Sequence, residues 1–292
     1  MNKKIHDRNH IIKNLLGNIE SVLAGSARKD ELLVVNYHGT QKKFIPDFIQ
    51  QIDFFRAHYD VIRPDQISSF YKGELKSTRG LLLITFDDGI KNNLFAAEIL
   101  NRFQLKAYFF VIPEFINTPA AEQKKYFLRD IRPLVNEHVD SKEEDFTAMN
   151  WNDLKGLINE GHSIGSHTQT HRLIASESIP SNSEKEIVMS KAEILSKLEI
   201  PKSSINSFCS INNTLQSVSG KELTLIKENY DFHFTTIPGA NHSGSCPYYI
   251  KRANIESHWL PGAVKYALGK WDLKRWKDAD KAYTKILTDN TN

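Results

Sequence analysis

Two short segments of this 292-residue chain carry side chains able to hold a metal ion and move a proton. The first is Leu81-Leu82-Leu83-Ile84-Thr85-Phe86-Asp87-Asp88-Gly89, an apolar run that stops at two carboxylates and a glycine. The second is Gly161-His162-Ser163-Ile164-Gly165-Ser166-His167-Thr168-Gln169-Thr170-His171, which sets His167 and His171 four residues apart. Two adjacent ionisable groups at the end of an apolar strand are costly to desolvate, so something should compensate them. One aspartate and two histidines make a facial ligand set that suits Zn²⁺, Co²⁺, Ni²⁺ or Fe²⁺ and leaves positions open for water. The other aspartate is then free to act as a base beside the ion. Taken singly, each segment has a plainer reading. Asp-Asp-Gly after a strand is often a turn, and two histidines at that spacing are often solvated neighbours on one helix face.

Elements that could position these groups alternate along the chain. Glu31 to Gly39 has a β-branched apolar core and reads as a buried strand ending at His38. Residues 44–59 read as a helix with Phe48, Ile52, Phe55 and His58 on one side, followed by a short strand at Val61-Ile62. Pro64 and Asp65 suit the start of a helix over 65–71. After the strand at 81–86, helices are expected at 93–103, 151–160, 181–198 and 219–228. Strands are expected at 106–112, 163–165, 205–209, 232–237 and 250–255. This alternation predicts a mostly parallel sheet, in which chemistry collects at the carboxyl ends of strands. His38, Asp87 and Asp88 all stand at such ends. Residues 113–150 read as a polar insertion, with a helix near 124–138 and an acidic stretch at 140–145. It suits either a rim or lid element or a solvated loop.

The chain resembles the NodB-homology polysaccharide deacetylases, carbohydrate esterase family four. Thr85-Phe86-Asp87-Asp88-Gly89 matches the first family motif, and His167-Thr168-Gln169-Thr170-His171 matches the second. The resemblance covers roughly residues 30–255. It implies a distorted (β/α) barrel of about seven parallel strands. Around it would lie an N-terminal amphipathic helix (1–30), the barrel (31–257) and a C-terminal helical extension (258–292). It further implies one divalent ion, zinc by preference, on Asp88, His167 and His171, with Asp87 as the base. Thr168 and Thr170 are expected to help orient the histidines.

In many relatives the general acid is a histidine on the last strand, in a Leu-x-x-His pattern that is missing after residue 232. Val34-Val35-Asn36-Tyr37-His38 has the right form at the other end of the chain. Some relatives, among them the poly-N-acetylglucosamine deacetylases, are circularly permuted so that this strand comes first. His38 is then the expected acid, with His233, His242 and His258 as weaker candidates. The third family motif is altered, because Phe208-Cys209-Ser210-Ile211-Asn212-Asn213 lacks the family's Pro-Tyr-Gly and its arginine. The backbone N–H of Asn212 could still face an oxyanion, and Arg252 could stand in for the arginine that props the base.

The implied function is metal-dependent de-N-acetylation of an amino sugar in a polysaccharide or glycan precursor. The alternatives are an O-acetyl esterase and a catalytically silent carbohydrate-binding barrel. A non-haem iron oxygenase fits less well, because its His-x-Asp spacing is absent. A formal net charge of +3 and the lack of a basic cluster interleaved with aromatics argue against nucleic acid. Cys209 and Cys246 form no C-x-x-C pattern and are expected to remain thiols. Near the N-terminus, Ile11, Ile12, Leu15, Leu16, Ile19, Val22 and Leu23 follow helical spacing. Lys13, Asn14, Asn18 and Glu20 break any signal-peptide core. A cytoplasmic protein, at most working at the inner face of the membrane, is therefore expected. Trp259, Trp271 and Trp276 with nearby lysines could touch a membrane surface, but packing on the barrel is the preferred reading.

Overall fold

A computed structural model describes residue 15 and residues 31–133, 142–172, 182–211, 214–269 and 277–290. Most of the expected N-terminal helix therefore lies outside the described residues, as do Asn212, Trp271 and Trp276.

The main strands are β1 (Glu31–Tyr37), β2 (Asp60–Val61), β3 (Leu81–Phe86), β4 (Tyr108–Val111) and β5 (Ser163–Ser166). They continue with β6 (Ser207–Cys209), β7 (Phe232–Phe234), β8 (Asn241–His242) and β9 (Ala253–Asn254). The sheet runs β7-β6-β5-β4-β3-β1, and all of these neighbours are parallel. β9 pairs in parallel with β1, while Ile250 bridges to Phe234 of β7. The segment 250–255 therefore touches both edges of the sheet. The Ile250 N–H donates to the His233 carbonyl at 3.0 Å, and the Ile255 N–H donates to that of Asn36 at 3.1 Å. The result is the mostly parallel sheet that strand–helix alternation predicts, curled into the distorted (β/α) barrel that the resemblance implies.

The two-residue period of each strand sorts its side chains. Val35, Tyr37, Leu82, Ile84, Phe86, Phe109 and Ile164 join an outer core against the helices. Leu32, Val34, Leu81, Leu83, Phe110, Cys209, Phe232 and Phe234 form a separate inner core. The inner rows then turn polar towards the carboxyl ends. Leu32 and Val34 are followed at the same period by Asn36 and His38, and Leu81 and Leu83 by Thr85 and Asp87. Gly165 precedes His167 on the inner row of β5. A Cβ on Gly165 would lie 2.4 Å from the Phe110 ring, so only glycine leaves room for that ring.

Helix α1 (Ile45–His58) buries Phe48, Gln51, Ile52 and Phe55, the spacing of one helix face. Its Gln51 ties the C-terminal part of the chain, donating to the carbonyls of Trp259 at 2.6 Å and Glu256 at 2.9 Å. Helix α2 (Trp151–Asn159) starts at a capping box between Asn150 and Asp153. Helices α3 (Pro261–Leu268) and α4 (Lys277–Asp289) follow the barrel. Two π-helical turns, Phe127–Ile131 and Lys185–Met189, face the end of the barrel that carries the aspartates and histidines. Among the described residues no helix is long and apolar enough to cross a membrane.

Candidate functional site

Asp87 continues the β1–β3 ladder, its N–H donating to the Tyr37 carbonyl at 2.8 Å. One residue later the chain leaves the strand: Asp88 has φ +69° and Gly89 φ +66°. A non-glycine residue in that region is uncommon and costs energy that the surroundings must supply. The turn aims Asp88 across the barrel end, towards the segment after β5. His167 still belongs to the ladder, its N–H donating to the Val111 carbonyl at 2.9 Å. Thr168 (φ +65°) and His171 (φ +61°) are again left-handed, so the histidine pair lies on a tight loop rather than along a helix.

That loop is braced from several sides. The buried Glu186 carboxylate, from one π turn, accepts from the N–H groups of Gln169 and Thr170 at 2.9 and 2.8 Å and from Thr170 Oγ1 at 2.6 Å. The Thr168 hydroxyl accepts from the His171 N–H at 2.9 Å. The threonines therefore shape the loop, and backbone carbonyls orient the rings. Nδ1 of His167 lies 3.0 Å from the Cys209 carbonyl, and Nδ1 of His171 lies 3.0 Å from the Asp130 carbonyl of the other π turn. A carbonyl can only accept, so each Nδ1 carries its hydrogen, and in the neutral ring, the form that binds a metal, Nε2 keeps the lone pair.

Both lone pairs point at Asp88. Its Oδ1 lies 3.4 Å from His167 Nε2 and 3.5 Å from His171 Nε2. Among the described residues neither oxygen of this buried carboxylate receives a hydrogen bond. The ligand atoms of Asp88, His167 and His171 all lie within 4.8 Å of one another. Ligands about 2.1 Å from a zinc ion at tetrahedral angles stand roughly 3.4 Å apart, so the residues fit a divalent cation. Burial opposes the charge on Asp88, but His167, His38 and His171 outweigh it and hold its pKa well below the ordinary carboxylate range.

Asp87 is furnished differently. Arg252 Nη1 and Nη2 grip its two oxygens at 2.7 and 2.9 Å, and Asn36 Nδ2 lies 3.3 Å from Oδ2. Burial works to raise its pKa, but Arg252 and His167 prevail and lower it. Arg252 is itself fully buried and donates to Thr235 O at 2.9 Å, Thr85 Oγ1 at 3.2 Å and Cys209 Sγ at 2.9 Å. A second group of possible ligands, Asp87, His167 and Cys209, is thus already occupied by a guanidinium.

His38 stands at the end of β1 with Nε2 3.9 Å from Asp87 Oδ2 and 22% of its side chain exposed. Its Nδ1 has no hydrogen-bond partner. Burial first, then the charge of Arg132, pull its pKa down to about 4 against the opposing effect of Asp88 and Asp87.

The comparisons with known proteins bear on the family and the fold. Residues 75–221, half of the chain and inclusive of both motifs, match the family described as polysaccharide deacetylase. The chain belongs to that family. The deacetylase also shares its fold with solved structures. IcaB from Ammonifex degensii superposes with a TM-score of 0.59 at 19% identity, covering 84% of this chain and 100% of the other. The Streptococcus pyogenes deacetylase PplD, solved in complex with acetate, gives 0.62 at 15%, covering 83% and 100%. A de-N-acetylase from Aggregatibacter actinomycetemcomitans gives 0.58 at 16%, covering 82% and 100%. No curated protein sequence matches significantly.

The deacetylase fold thus gathers His38, Asp87, Asp88, His167, His171 and Arg252 at one barrel end. Asn212 lies outside the described residues. His233 is instead buried beside Ser210 Oγ and Tyr283 Oη, away from this cluster, and His242 is exposed. Cys209 and Cys246 are both free thiols. Several contributors escape a reading of the sequence. Asn36 could have been found from the strand period that also selects His38. Arg132, whose Nη1 lies 4.0 Å from Asp88 Oδ2, sits in the insertion and carries no pattern. The carbonyls of Asp130 and Cys209 leave no side-chain signal at all.

Proposed function

We propose that this deacetylase hydrolyses the N-acetyl group of an amino sugar in a polysaccharide or glycan precursor. One divalent cation, zinc first among the candidates, would be held by Asp88, His167 and His171. The observation that carries this reading is the Asp88 carboxylate. It is buried, receives no hydrogen bond among the described residues, and faces two imidazole lone pairs at 3.4 and 3.5 Å. A buried charge left in that condition is costly unless a cation completes it.

A cation bound there would polarise the acetyl carbonyl and bring the pKa of a bound water to about 7. The chain's own residues account for the proton. Asp87, kept ionised by Arg252, takes it from the attacking water. His38 is neutral at pH 7, since its pKa is lowered to about 4, and so can accept a proton before it gives one. At 3.9 Å from Asp87, beyond a direct hydrogen bond, it would receive that proton through one water and pass it to the leaving nitrogen. One proton moves from water to amine, and Asp87 and His38 end as they began. The permuted strand order is supported by the position of β1 between β3 and residues 253–254.

The test is acetate release from N-acetylglucosamine oligomers and from O-acetylated sugars, with chelator and after zinc is restored. Release from the N-acetyl sugars that stops with chelator and returns with metal is expected. A protein with full metal occupancy that frees acetate from neither class would overturn the proposal, and release from O-acetyl sugars alone would make it an esterase.

A further inference from the structure

Arg132 touches no reacting group in the chemistry above, where it acts only through its charge on His38, yet it reaches the same barrel end. Its backbone is anchored by the π turn that supplies the Asp130 carbonyl to His171: the Arg132 N–H donates to the Phe127 carbonyl at 2.8 Å, and Phe127 and Ile131 are buried. The guanidinium is therefore placed by the same short segment that orients a candidate ligand. The neighbouring Asp130 carboxylate is engaged by Arg129. The nearest carboxylate that Arg132 faces among the described residues is Asp88, at 4.0 Å, too far for a hydrogen bond. Its side chain is 28% exposed, so it is open to solvent at the mouth while Asp88 is 1% exposed.

Charge balance gives this placement a consequence. A divalent cation on Asp88, His167 and His171 would claim the one carboxylate within 4.0 Å of Arg132 among the described residues. With the buried Glu186 behind the histidine loop, the barrel end would then hold Asp87, Asp88 and Glu186 as anions against Arg252, Arg132 and the cation, a surplus of one positive charge. An uncompensated guanidinium beside a dication is unfavourable, and a partly desolvated one pairs strongly with an oxyanion. We propose that the substrate is an acidic acetylated sugar, bearing a carboxylate or phosphate near the acetamido group, and that Arg132 receives that anion. This rests on the deacetylase reading of the site and adds to it the charge of the substrate.

The test compares the metal-loaded parent with Arg132→Ala and Arg132→Lys. Acetate release is followed on N-acetylglucosamine, its 1-phosphate, its 6-phosphate and its 6-carboxylate, which separates phosphate from carboxylate as the recognised group. The parent is expected to show a KM at least about tenfold lower on one of the acidic sugars. Arg132→Ala should raise that KM by roughly tenfold to a hundredfold, the range of a charge-assisted hydrogen bond. Its KM on the neutral sugar should stay within about twofold, and Arg132→Lys, which keeps the charge acting on His38, should recover part of the loss. A second arm needs no turnover: calorimetric binding of inorganic phosphate to the same three proteins should weaken in step. If no sugar is deacetylated, the proposed function fails, while the phosphate arm still decides Arg132. No preference for any acidic sugar, an equal loss on neutral and acidic sugars, or phosphate binding unchanged in Arg132→Ala would each overturn the assignment.

Discussion

Asp87 and Asp88 are neighbours in the chain and almost equally buried, at 2% and 1% exposure, yet their surroundings are opposites. Around Asp87 the wall is complete. Arg252 crosses from the last strand to hold both oxygens, and Asn36 reaches one of them from the first. Around Asp88 two imidazole nitrogens stand at 3.4 and 3.5 Å and the Arg132 guanidinium at 4.0 Å, and among the described residues none donates a hydrogen bond to it. The chain neutralises one carboxylate with its own guanidinium, and the proposed cation would complete the other. A turn of one residue into the left-handed region is enough to send two adjacent, identical side chains to different walls.

The sharpest way to break this contrast is to remove a ligand. His171→Ala should empty the site and reduce acetate release to background, read by elemental analysis beside activity. A variant that keeps about one equivalent of zinc would sink the assignment of the Asp88 wall. Asp87→Asn should retain the metal and lose roughly 10²–10⁴-fold in rate, since a positioned proton acceptor contributes about that much. Loss of metal there would mean that the two carboxylates do not divide the work as described. His38→Ala should slow amide hydrolysis by up to about 10²-fold and spare an activated acetyl ester, whose leaving group needs no proton. Equal losses on both substrates would remove His38 from the proton path.

Arg252→Met sharpens the Asp87 side. It leaves a buried carboxylate unpaired, and breaking such a pair costs about 3–5 kcal/mol. Denaturant unfolding measures the change, and a loss under about 1 kcal/mol would show that Asp87 is not stabilised as the distances indicate. The smallest effect concerns the pH range in which these comparisons can be made. His162 accepts from the Ala107 N–H through Nδ1 at 3.2 Å and has Nε2 3.2 Å from Asn101 Oδ1, a pairing that suits the neutral ring. Burial, then Lys106, lower its pKa from 6.5 to about 4. Between those values the unfolded chain binds the extra proton, so stability is full above about pH 6.5 and falls as pH drops towards about 4. The loss should reach about 3 kcal/mol. His162→Gln should flatten that slope, and an unchanged slope would assign the acid sensitivity elsewhere.

Much of this contrast is written in local sequence. The apolar run before Asp87, the His167–His171 spacing and the strand leading to His38 follow from short-range periods, and the structure gathers all of them at one end. Arg252 lies 165 residues from Asp87, and nothing near it announces the pairing. Its place beside Cys209 is legible only through the missing arginine of the altered third motif. The ring-orienting groups are invisible for another reason: a backbone carbonyl belongs to every residue, so Asp130 and Cys209 could have been almost anything. Arg132 depends on a π turn within a polar insertion, where neither helical nor strand periodicity gives guidance.

The inner core behind the aspartates has a consequence for traffic. Leu32, Val34, Leu81, Leu83, Phe110, Phe232, Phe234 and Ile250 fill the barrel beneath Thr85 and Arg252. Among the described residues the site is therefore closed from behind, a cul-de-sac. Under the proposed reaction, sugar would enter and acetate leave from the side where His38 and Arg132 are both partly exposed.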